Sequence, residues 1–419
     1  MYIPGFPGLM EKDFRKRLSV LMLCPDFGYG GAELSFARVS RLLAKRYNVL
    51  CVVFNADRKK HYPLGGPLVV LDPDVSRRSR WALVRLYQRV RRLMQIKAER
   101  EVDVCLSFLE GADYVNFLAF GRGRRYASIR GSKTKDGQIS GFKGWFRKRV
   151  LLPFVYSRMD AILPVSEAIC REMVEDFGVS RERLCAIRNF YAPDEIDAAA
   201  AEPIDHDVAS SIARHQVIAT VSRLHPQKNH ASFLHVIAQL RRDRPEVRAA
   251  ILGSGAELNV LKAECKKLGI DYWCCGGSGP FDPEKAVWFF GYVPNPIAIV
   301  ARSRAFALPS RHEGFPNALV EAMLCGIPVV AADCQSGPRE ILGLHSKSGG
   351  KMVEVGAGGL LVPIPDINDR ATIEAWARAL DIVLSPEGRQ LGIAARQRAS
   401  EFSEQAVAPL WYDTIESSN

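Results

Sequence analysis

The stretch from Leu308 to Leu342 constrains the fold most, because it changes twice from a strand-like pattern to a helical one. It reads LPSRHEGFPNALVEAMLCGIPVVAADCQSGPREIL. The apolar run at 305–309 predicts a buried strand, and the apolar spacing that opens at Pro316 predicts a helix. Gly326 ends that helix, and the run at 327–332 predicts the next buried strand. Strands that alternate with helices are typical of an α/β protein with a parallel sheet.

Two glutamates frame this unit. Glu313 lies in the loop at the carboxyl end of the first strand, and Glu321 lies inside the helix. Ligands of open α/β sheets bind beyond the carboxyl ends of the strands. A helix start adds free N–H groups and positive potential for an anion. The loop therefore offers carboxylates to sugar hydroxyls and backbone donors to phosphate. The alternative is a surface carboxylate together with a salt bridge on a helix face.

The sequence that surrounds these two glutamates is more specific than the pair of glutamates itself. The motif consists of two glutamates separated by seven residues, within GFPNALVEAMLCGIPVV and its preceding glutamate, and it is followed by SGPREIL. This motif resembles that of the family 4 retaining glycosyltransferases of GT-B fold. In that family the first glutamate contacts the donor sugar and the second binds the nucleotide ribose, which implies these roles for Glu313 and Glu321. The SGPREIL ending looks most like members that move N-acetylhexosamines onto lipid-linked glycans in polysaccharide biosynthesis. The donor-binding residues implied between the glutamates are Gly314, Phe315, Pro316, Asn317, Ala318 and Leu319.

A second motif supplies positive charge. In VIATVSRLHPQKNH, a predicted strand is followed by a loop that carries Arg223 and Lys228, and a helix begins near Asn229. Arginine as a fork and lysine as a point charge can together neutralise a diphosphate. SRLHPQKN resembles the family's GRL–QKN phosphate motif, with Ser222 in place of the usual glycine. Alone, the two cations would be interpreted as surface groups.

Two glycine turns follow predicted strands. Gly30 and Gly31 come after the first strand, in PDFGYGGAE, and Gly253 and Gly255 come after VRAAIL. Glycine lets the backbone approach a bound diphosphate closely, and a helix start favours its charge. The position of the first turn matches the donor-side loop of the resembled family. We predict that both turns line the donor site, with a plain tight turn as the alternative for Gly253 and Gly255.

The acceptor side gives a weaker signal. Glu110 and Arg130 each follow a predicted strand of the first half, at 102–108 and 126–129, so both are placed to face the cleft. Many members of the resembled family have a histidine near the position of Glu110, and this chain has none there. The acceptor-side catalytic group is therefore left open.

Composition limits the class of protein. A chain of 419 residues with 47% hydrophobic and 25% charged residues is sized for two globular domains. No apolar run reaches the 18 residues of a spanning helix, and the first residues lack a signal pattern. The ten cysteines are scattered, and the eight histidines show no metal spacing. We expect a cytoplasmic, reduced protein that needs no metal and no cofactor besides its nucleotide-sugar donor.

Charge separates the two halves. Residues 1–190 carry 35 Lys and Arg against 19 Asp and Glu, a balance of +16, whereas residues 191–419 carry 22 against 27, a balance of −5. The basic residues concentrate at 76–99 and 121–149, where Trp145 and Phe146 lie among them. Aromatics beside cations suit a lipid headgroup interface. We expect peripheral binding to the inner face of an anionic cytoplasmic membrane; aromatics packed inward are the alternative.

Both halves repeat the alternation of strands and helices. We predict two Rossmann-like domains with parallel sheets facing across a cleft, the GT-B form of the α/β class. The boundaries expected are an acceptor-binding domain at 1–190, a linker at 191–215, a nucleotide-sugar domain at 216–400 and a C-terminal helix at 401–419 that returns to the first domain. The run at 184–189 is predicted as the last strand of the first domain. Segments 271–286 and 345–359 are interpreted as inserted loops without an assigned role.

The resemblance implies a reaction. A sugar, expected to be an N-acetylhexosamine, moves from a UDP-sugar to a lipid-phosphate-linked glycan acceptor with retention at the anomeric carbon. Arg223 and Lys228 would stabilise the leaving diphosphate, and Glu313 would hold the sugar. One alternative is a nucleotide-sugar epimerase of the same fold, which the glutamate block disfavours. The other is a nucleic-acid-binding protein, for which the basic half shows no recognisable reading element.

Overall fold

Strands and helices alternate through both halves of the chain, as the sequence predicts. The computed structural model describes residues 17–26, 28, 30–55, 62–72, 82–134, 141–277, 279–344 and 352–417. Two units, Met1–Ala127 and Ser128–Asn419, are distinguished by their internal contacts. The domain boundaries expected at 190 and 216 stay a prediction.

A parallel sheet organises the first half. Its elements are β1 Ser19–Asp26, α1 Gly31–Ala44, β2 Asn48–Asn55, β3 Leu68–Val70, α2 Ala82–Glu99, β4 Val104–Phe108, α3 Glu110–Leu118, β5 Arg124–Ile129, α4 Gly141–Phe146, a π-helical turn Arg147–Leu151, α5 Leu152–Tyr156, β6 Ala161–Pro164, α6 Glu167–Glu175 and a 3₁₀ turn Arg181–Arg183. The strand order is β3-β2-β1-β4-β5-β6, so the order reverses between β1 and β4. β1 pairs in parallel with both β2 and β4.

A second sheet follows. Its elements are α7 Pro193–Ala201, α8 His206–Arg214, β7 Gln216–Val221, a 3₁₀ turn Pro226–Lys228, α9 His230–Leu240, β8 Val247–Leu252, α10 Leu258–Leu268, β9 Tyr272–Cys274, β10 Val287–Gly291, α11 Ile297–Val300, β11 Ala305–Leu308, α12 Asn317–Leu324, β12 Val329–Ala332, α13 Pro338–Ile341, β13 Glu354–Gly356, β14 Gly359–Val362, α14 Arg370–Leu384, α15 Gly388–Ala399, a 3₁₀ turn Ser400–Phe402 and α16 Glu404–Glu416. The strand order is β13-β14-β12-β11-β7-β8-β10-β9. The pairs are parallel except β13 with β14.

The strands read as continuous apolar runs because helices cover a parallel sheet on both faces. Residues 20–24 of β1, 104–108 of β4 and 247–252 of β8 are buried along their whole length. Apolar side chains of α9 and α14 pack against the second sheet in one core, which includes Phe233 and Trp376. This covering leaves the carboxyl ends of the strands as the place where loops can form a site.

The prediction of a β-strand at 184–189 was wrong. This segment donates two backbone hydrogen bonds to β6, of 3.0 and 2.9 Å, but forms one isolated bridge, between Ile162 and Leu184. Its last residues, Arg188 and Asn189, donate instead to Glu340 of α13 and Asn317 of α12. Those bonds draw the chain away before a regular ladder can develop.

Four further segments differ from the sequence predictions. The segment expected as a linker contains α7 and α8, since its alanine run favours a helix and Asp205 caps α8. The expected loop at 271–286 contains the edge strand β9, which pairs with β10. Pro316 has an extended backbone and precedes α12 rather than starting it. Within the expected insertion at 345–359, residues 345–351 lie outside the described residues, and β13 follows.

The C-terminal helix contacts earlier parts of the same unit. Glu404 N–H donates to the carbonyl oxygen of Tyr191 at 3.0 Å, which fixes the start of α16. The guanidinium of Arg130 lies 5.8 Å from the ring centre of Trp411, and Thr414 Oγ1 is 3.6 Å from Cys185 Sγ. Within the described residues, no helix is both long enough and apolar enough to span a membrane.

Candidate functional site

The strand order of the second sheet reverses between the neighbouring strands β7 and β11, which makes their carboxyl edge the expected ligand site. Loops 222–229 and 309–316 meet at this edge. Gln227 Nε2 donates to the carbonyl oxygen of His312 at 2.7 Å, and Arg311 N–H donates to the carbonyl oxygen of Gln227 at 2.8 Å. These two bonds hold the cation-bearing loop and the first glutamate loop together.

An ion pair joins the two loops. Lys228 Nζ donates to Glu313 Oε1 at 2.7 Å, and the side chains are only 17% and 8% exposed. At this burial the charges are screened less than those of a surface pair. Removal of either side chain would leave the other buried without its counterion. The sequence analysis selected both residues for the donor site as separate groups. The order of the strands brings them together.

Asn229 fixes the cation loop to the rest of the edge. Its backbone is left-handed, with φ of 58°, a conformation that asparagine tolerates better than most residues. Its Nδ2 donates to the carbonyl oxygens of Pro309, at 3.2 Å, and Pro365, at 2.8 Å. The sequence analysis assigned Asn229 only to a helix start, although an asparagine between a Pro-containing turn and a helix is a signal for such a conformation.

His230 lies buried beneath the cation loop. Its Nε2 is 3.1 Å from Oγ of Ser222, the residue that replaces the glycine of the resembled motif. Burial and the charge of Lys228 lower the pKa of His230 to about 3. The imidazole is therefore neutral at physiological pH and adds no charge to the site.

Arg223 has the opposite environment to Lys228. Its side chain is exposed just after β7, and no ion pair joins it to a carboxylate in the described part of the chain. An exposed guanidinium at this edge can turn towards an anion without breaking a bond within the protein.

Gly253 and Gly255 are required by the neighbouring loop, whatever binds there. A Cβ at Gly253 would lie 1.8 Å from the carbonyl oxygen of Ser222, and its φ is +143°. A Cβ at Gly255 would lie 2.2 Å from the carbonyl oxygen of Leu224. These glycines let β8 and its following turn approach the cation loop, and their role in donor binding stays a prediction.

The segment between the glutamates presents backbone more than side chains. Phe315, Pro316 and Leu319 are buried, and the Phe315 ring packs edge-on against Phe402 with 5.3 Å between centroids. Asn317 and Ala318 are partly exposed at the first turn of α12. The first N–H groups of a helix lack partners within it, so this turn is suited to an anion.

Close backbone packing fixes the position of this segment. A Cβ at Gly314 would lie 2.1 Å from the carbonyl oxygen of Arg130. Ser336 Oγ donates to the carbonyl oxygen of Glu313. Gly337, with φ of +88°, turns the chain against Pro316. The loop before α12 is therefore clamped between two other segments of the same unit.

A polar cluster contacts the first residue of α12. Asn189 Nδ2 donates to Asn317 Oδ1 at 2.8 Å and to the carbonyl oxygen of Phe315 at 3.2 Å. The hydroxyl of Tyr191 donates to the same Asn317 oxygen at 2.7 Å. Arg130 Nη1 in turn donates to Asn189 Oδ1 at 2.9 Å. Asn189 and Tyr191 are not among the site residues expected from the sequence, and no motif marks them because they are remote from α12 along the chain.

The remaining charged residues of the block divide into two kinds. Glu321 lies partly exposed on α12, one turn beyond the helix start. Arg339 of SGPREIL is buried, and its guanidinium binds Asp333, with bonds of 3.0 and 2.6 Å, and Glu354, with bonds of 3.0 and 2.7 Å. Those hydrogen bonds raise the pKa of Arg339 above its usual value. Arg339 therefore stabilises the fold at the β12 edge.

The first sheet has its own reversal point, between β1 and β4. Gly30, in extended backbone, caps α1, and Gly31 is the first residue of that helix. Glu110 begins α3 after Leu109, whose φ is +69°, and it accepts a hydrogen bond of 2.5 Å from the Tyr114 hydroxyl. These residues lie at the edge that the sequence analysis predicted, and their ligand roles stay predictions.

The other acceptor-side candidate, Arg130, bonds within its own unit. Its guanidinium is committed to Asn189 and lies over the ring of Trp411, and burial lowers its pKa. The acceptor role stays a prediction. Among the described residues, no group of three or more His, Cys, Asp and Glu side chains is arranged to hold a metal ion.

Two protein-family models match this chain. The family model "Glycosyl transferases group 1" matches residues 204–380, and the model "Glycosyltransferase Family 4" matches residues 29–195. The two matches do not overlap and together cover most of the chain.

The chain belongs to glycosyltransferase family 4. This confirms the resemblance drawn from the Glu313–Glu321 block and the α/β fold of GT-B type. The crystal structure of Anabaena Alr3699/HepE in complex with UDP-glucose superimposes with a TM-score of 0.73 at 21% identity, over 96% of this chain and 100% of that one. At that identity the match supports the fold alone.

Two similar proteins come from Campylobacter jejuni. "N-acetylgalactosamine-N,N'-diacetylbacillosaminyl-diphospho-undecaprenol 4-alpha-N-acetylgalactosaminyltransferase" is 28% identical over 245 residues, 58% of this chain and 60% of that protein. "GalNAc-alpha-(1->4)-GalNAc-alpha-(1->3)-diNAcBac-PP-undecaprenol alpha-1,4-N-acetyl-D-galactosaminyltransferase" is 23% identical over 403 residues, 95% of this chain and 98% of that protein. The first alignment thus spans less than two thirds of its relative.

Proposed function

We propose that this family 4 protein transfers an N-acetylhexosamine from a UDP-sugar to a lipid-diphosphate-linked glycan, with retention at the anomeric carbon. Two relatives whose names describe N-acetylgalactosaminyl transfer to undecaprenyl-linked glycans support the acceptor class and the sugar class. The solved complex of Anabaena HepE with UDP-glucose supports a UDP-linked donor. The reaction would take place in the cytoplasm, at the inner face of the cytoplasmic membrane.

The observation that carries the proposal is the Lys228–Glu313 pair beside the start of α12. It sets a cation and a carboxylate at the same sheet edge as the first turn of α12, and the exposed Arg223 lies in the same loop as Lys228. As the bond from sugar to diphosphate breaks, negative charge grows on the leaving phosphate. Arg223, Lys228 and the first amides of α12 would stabilise that charge without a metal.

The two glutamates are proposed as binding groups. Glu313 would accept hydrogen bonds from the donor sugar, and Glu321 would accept those of the ribose. The acceptor hydroxyl attacks the anomeric carbon from the face that the diphosphate leaves, so a departing phosphate oxygen takes its proton. This front-face route gives retention without a histidine base. A two-carboxylate hydrolytic mechanism would instead require a pair that acts as acid and nucleophile.

A donor and acceptor screen tests the proposal. Purified protein is incubated with single UDP-sugars and an undecaprenyl-diphosphate-linked N-acetylhexosamine, with released UDP and the anomeric proton of the product measured. We expect UDP release and an α-linked product that depend on the acceptor and persist in EDTA. Heat-denatured protein serves as the inactive control. An inverted product or strict dependence on a divalent metal would refute the mechanism. Interconversion of UDP-sugars without an acceptor would favour the epimerase.

A further inference from the structure

The helical segment 141–158 exposes an unusual amount of apolar surface. It comprises α4, the π-helical turn and α5, followed by two residues. Its exposed large apolar side chains are Phe142 (77%), Trp145 (56%), Phe146 (46%), Val150 (43%) and Phe154 (48%). The rings of Phe142 and Trp145 stack, with centroids 5.8 Å apart. Clustered exposed apolar side chains mark a binding surface more often than single ones do.

The π-helical turn keeps these side chains on one side. Residues 142, 146, 150 and 154 recur every four positions, a spacing that advances about 40° per step around an α-helix. The turn Arg147–Leu151 has wider hydrogen-bonded rings and takes up part of this drift. The buried residues of the segment are Gly144, Arg147, Leu152, Val155 and Tyr156. The segment is therefore amphipathic, with its aromatic side facing solvent.

The charge of this surface has one sign. Residues 141–158 contain five basic and no acidic residues. Lys143 and Arg149 are exposed, and no ion pair joins either to a described residue. The guanidinium of Arg158 lies 3.9 Å from the ring centre of Phe154. Cations interleaved with solvent-facing aromatics complement an anionic, partly apolar surface.

Two of the five basic residues serve the fold instead. Arg147 is buried, and Lys148 Nζ donates to the carbonyl oxygen of Thr134 at 2.6 Å. A test that reversed these charges would disturb the packing of the segment. Lys143 and Arg149 are therefore the residues whose charge can be changed at the surface alone.

We propose that the 141–158 surface docks on an anionic phospholipid bilayer. The aromatic rings would enter the headgroup layer while Lys143 and Arg149 approach lipid phosphates. This deepens the proposed function by naming the surface that brings the enzyme to a lipid-linked acceptor. The sequence alone implicated 76–92 and 122–149. Of these, 76–81 and 135–140 lie outside the described residues. The proposal is confined to 141–158, where the exposed aromatic side chains cluster.

Vesicle co-sedimentation of the full chain tests the docking. Two kinds of vesicle are compared at low and high salt. One contains phosphatidylcholine alone, and the other also contains about 30 mol% of the anionic lipid phosphatidylglycerol. Wild type should bind anionic vesicles at low salt and leave them at high salt. Lys143→Glu with Arg149→Glu should weaken binding at least about tenfold. Phe142→Ser with Trp145→Ser should weaken it similarly.

Matched controls change equally exposed residues elsewhere. Lys266→Glu with Arg389→Glu reverses two exposed charges, and Val260→Ser with Ile393→Ser removes two exposed apolar side chains. Both controls should bind vesicles like wild type. The proposal is overturned if wild type ignores anionic vesicles, or if the 141–158 variants bind as well as the controls. Self-association lost in Phe142→Ser with Trp145→Ser, without vesicle binding, would assign the surface to a second copy of the chain.

Calorimetry with UDP separates this proposal from the proposed function. The 141–158 variants should bind UDP like wild type, since none of the changed residues lies at the β7–β11 edge. Wild type that binds vesicles but not UDP would refute the function and leave the docking intact. Wild type that binds UDP but not vesicles would refute the docking proposal and leave the proposed function intact.

We also infer that Asn189 and Tyr191 are positioning residues for the first turn of α12. Their two donors converge on Asn317 Oδ1, and Asn189 also holds the carbonyl of Phe315. These bonds fix the turn whose amides would face the donor phosphate. Asn317 therefore uses its side-chain oxygen within the protein. The inference rests on the proposed function for its effect on turnover.

Conservative variants test this positioning role. Tyr191→Phe removes one bond and should lower kcat about fivefold, the ordinary effect of one hydrogen bond. Asn189→Asp replaces a donor with a second acceptor and should lower kcat more. Ser303→Ala removes a buried hydroxyl bond elsewhere, to Ile299, and should leave kcat unchanged. Unchanged turnover in both Tyr191→Phe and Asn189→Asp would overturn the inference.

Hydrogen exchange gives a readout that is independent of activity. The amides of residues 317–320 should exchange faster in Tyr191→Phe and Asn189→Asp than in wild type. In Ser303→Ala their exchange should be unchanged. Slow exchange in all variants would refute the positioning role even if the proposed reaction proved wrong.

Discussion

The carboxyl edges of the two sheets are built differently at their reversal points. At the β7–β11 edge, side chains cross from loop to loop: Lys228 to Glu313, Gln227 to the His312 carbonyl, and Asn229 to two proline carbonyls. At the β1–β4 edge, the bond described at Glu110 is local, from Tyr114 one helical turn away. The bonds described at the β7–β11 edge thus join separate loops, whereas the bond between Tyr114 and Glu110 lies within one helix.

These bonds indicate which catalytic groups the fold holds in place before a substrate binds. Groups that stabilise developing charge act best when the fold holds them before the reaction, because no energy is then spent on orienting them. The β7–β11 edge has that property. We therefore propose that this edge serves the leaving diphosphate, the part of the reaction that does not change with the acceptor.

The largest expected effects separate the two cations of the β7–β11 edge. Arg223→Ala and Lys228→Ala should each remove roughly 2–4 kcal/mol of transition-state stabilisation, about a hundredfold in turnover or more. Lys228→Ala should also lower thermal stability, because it leaves Glu313 buried and unpaired. Arg223→Ala should not, since Arg223 is exposed. Released UDP and thermal unfolding measure the two effects.

The double variant Lys228→Met with Glu313→Gln is the control for stability. It removes both charges and should recover most of the lost thermal stability while remaining inactive. Near-normal turnover in either single variant would exclude that residue from the site. Equal stability losses for Arg223→Ala and Lys228→Ala would contradict the contrast between an exposed and a paired cation.

The glutamates of the same edge should differ in what they bind. Glu321→Ala should weaken the binding of free UDP, because the ribose hydroxyls lose their acceptor. Glu313→Gln should spare the binding of UDP while turnover falls, because only the sugar loses its contact. Calorimetry with UDP and a turnover assay distinguish the two. The reverse pattern would exchange the assigned roles.

Two glycines test whether the edges differ in backbone packing. Gly253→Ala should destabilise the fold by about 1–3 kcal/mol, because its positive φ and the Ser222 carbonyl both exclude a Cβ. Gly30→Ala should leave stability near that of wild type, since the three atoms nearest to a Cβ there belong to the movable end of the Glu33 side chain. Denaturant unfolding measures both. A large stability loss in Gly30→Ala would show that the first edge is packed as tightly as the second.

The smallest effect concerns pH and belongs to the second edge. The pKa of His230 falls from the usual 6.5 to about 3 on folding, so the folded form resists protonation. Its stabilising contribution is complete above pH 6.5 and declines as the pH falls towards 3, by about 1.4 kcal/mol per pH unit. Unfolding of wild type and His230→Asn between pH 7.5 and about 5.5 should show a smaller pH dependence in the variant. Parallel pH profiles would contradict a neutral, buried imidazole.

The motif residues were predictable because their signals are local in sequence. The glycine that ends α12, the strands on either side of it and the cations after β7 all follow from spacing within a few residues. The prediction failed at 184–189 because distant partners decide that segment: Arg188 binds Glu340, at 2.5 Å, and Asn189 binds Asn317. Local apolar character favoured a strand there, and contacts with residues over a hundred positions away determined the observed path.

The local sequence pattern also failed to predict which side chains are exposed to solvent. Helix α2 buries Leu93, but Leu83 and Tyr87 on the same helix are largely exposed. In the basic segment, Trp145 is exposed while Arg147 is buried. Periodicity identifies which residues share a face, but the neighbouring elements decide which face is covered.

The sequence by itself determined the α/β class, the family and the residue types at the donor edge, because short-range periodicity and a continuous motif encode them. Only the tertiary structure decided that Lys228 and Glu313 form one pair, that Gly253 is needed by a neighbouring carbonyl, and that Asn317 is held by Asn189. Each of these depends on strand order, which brings together segments that are remote along the chain. Strand order is set by long-range packing of buried faces, and no local pattern contains it.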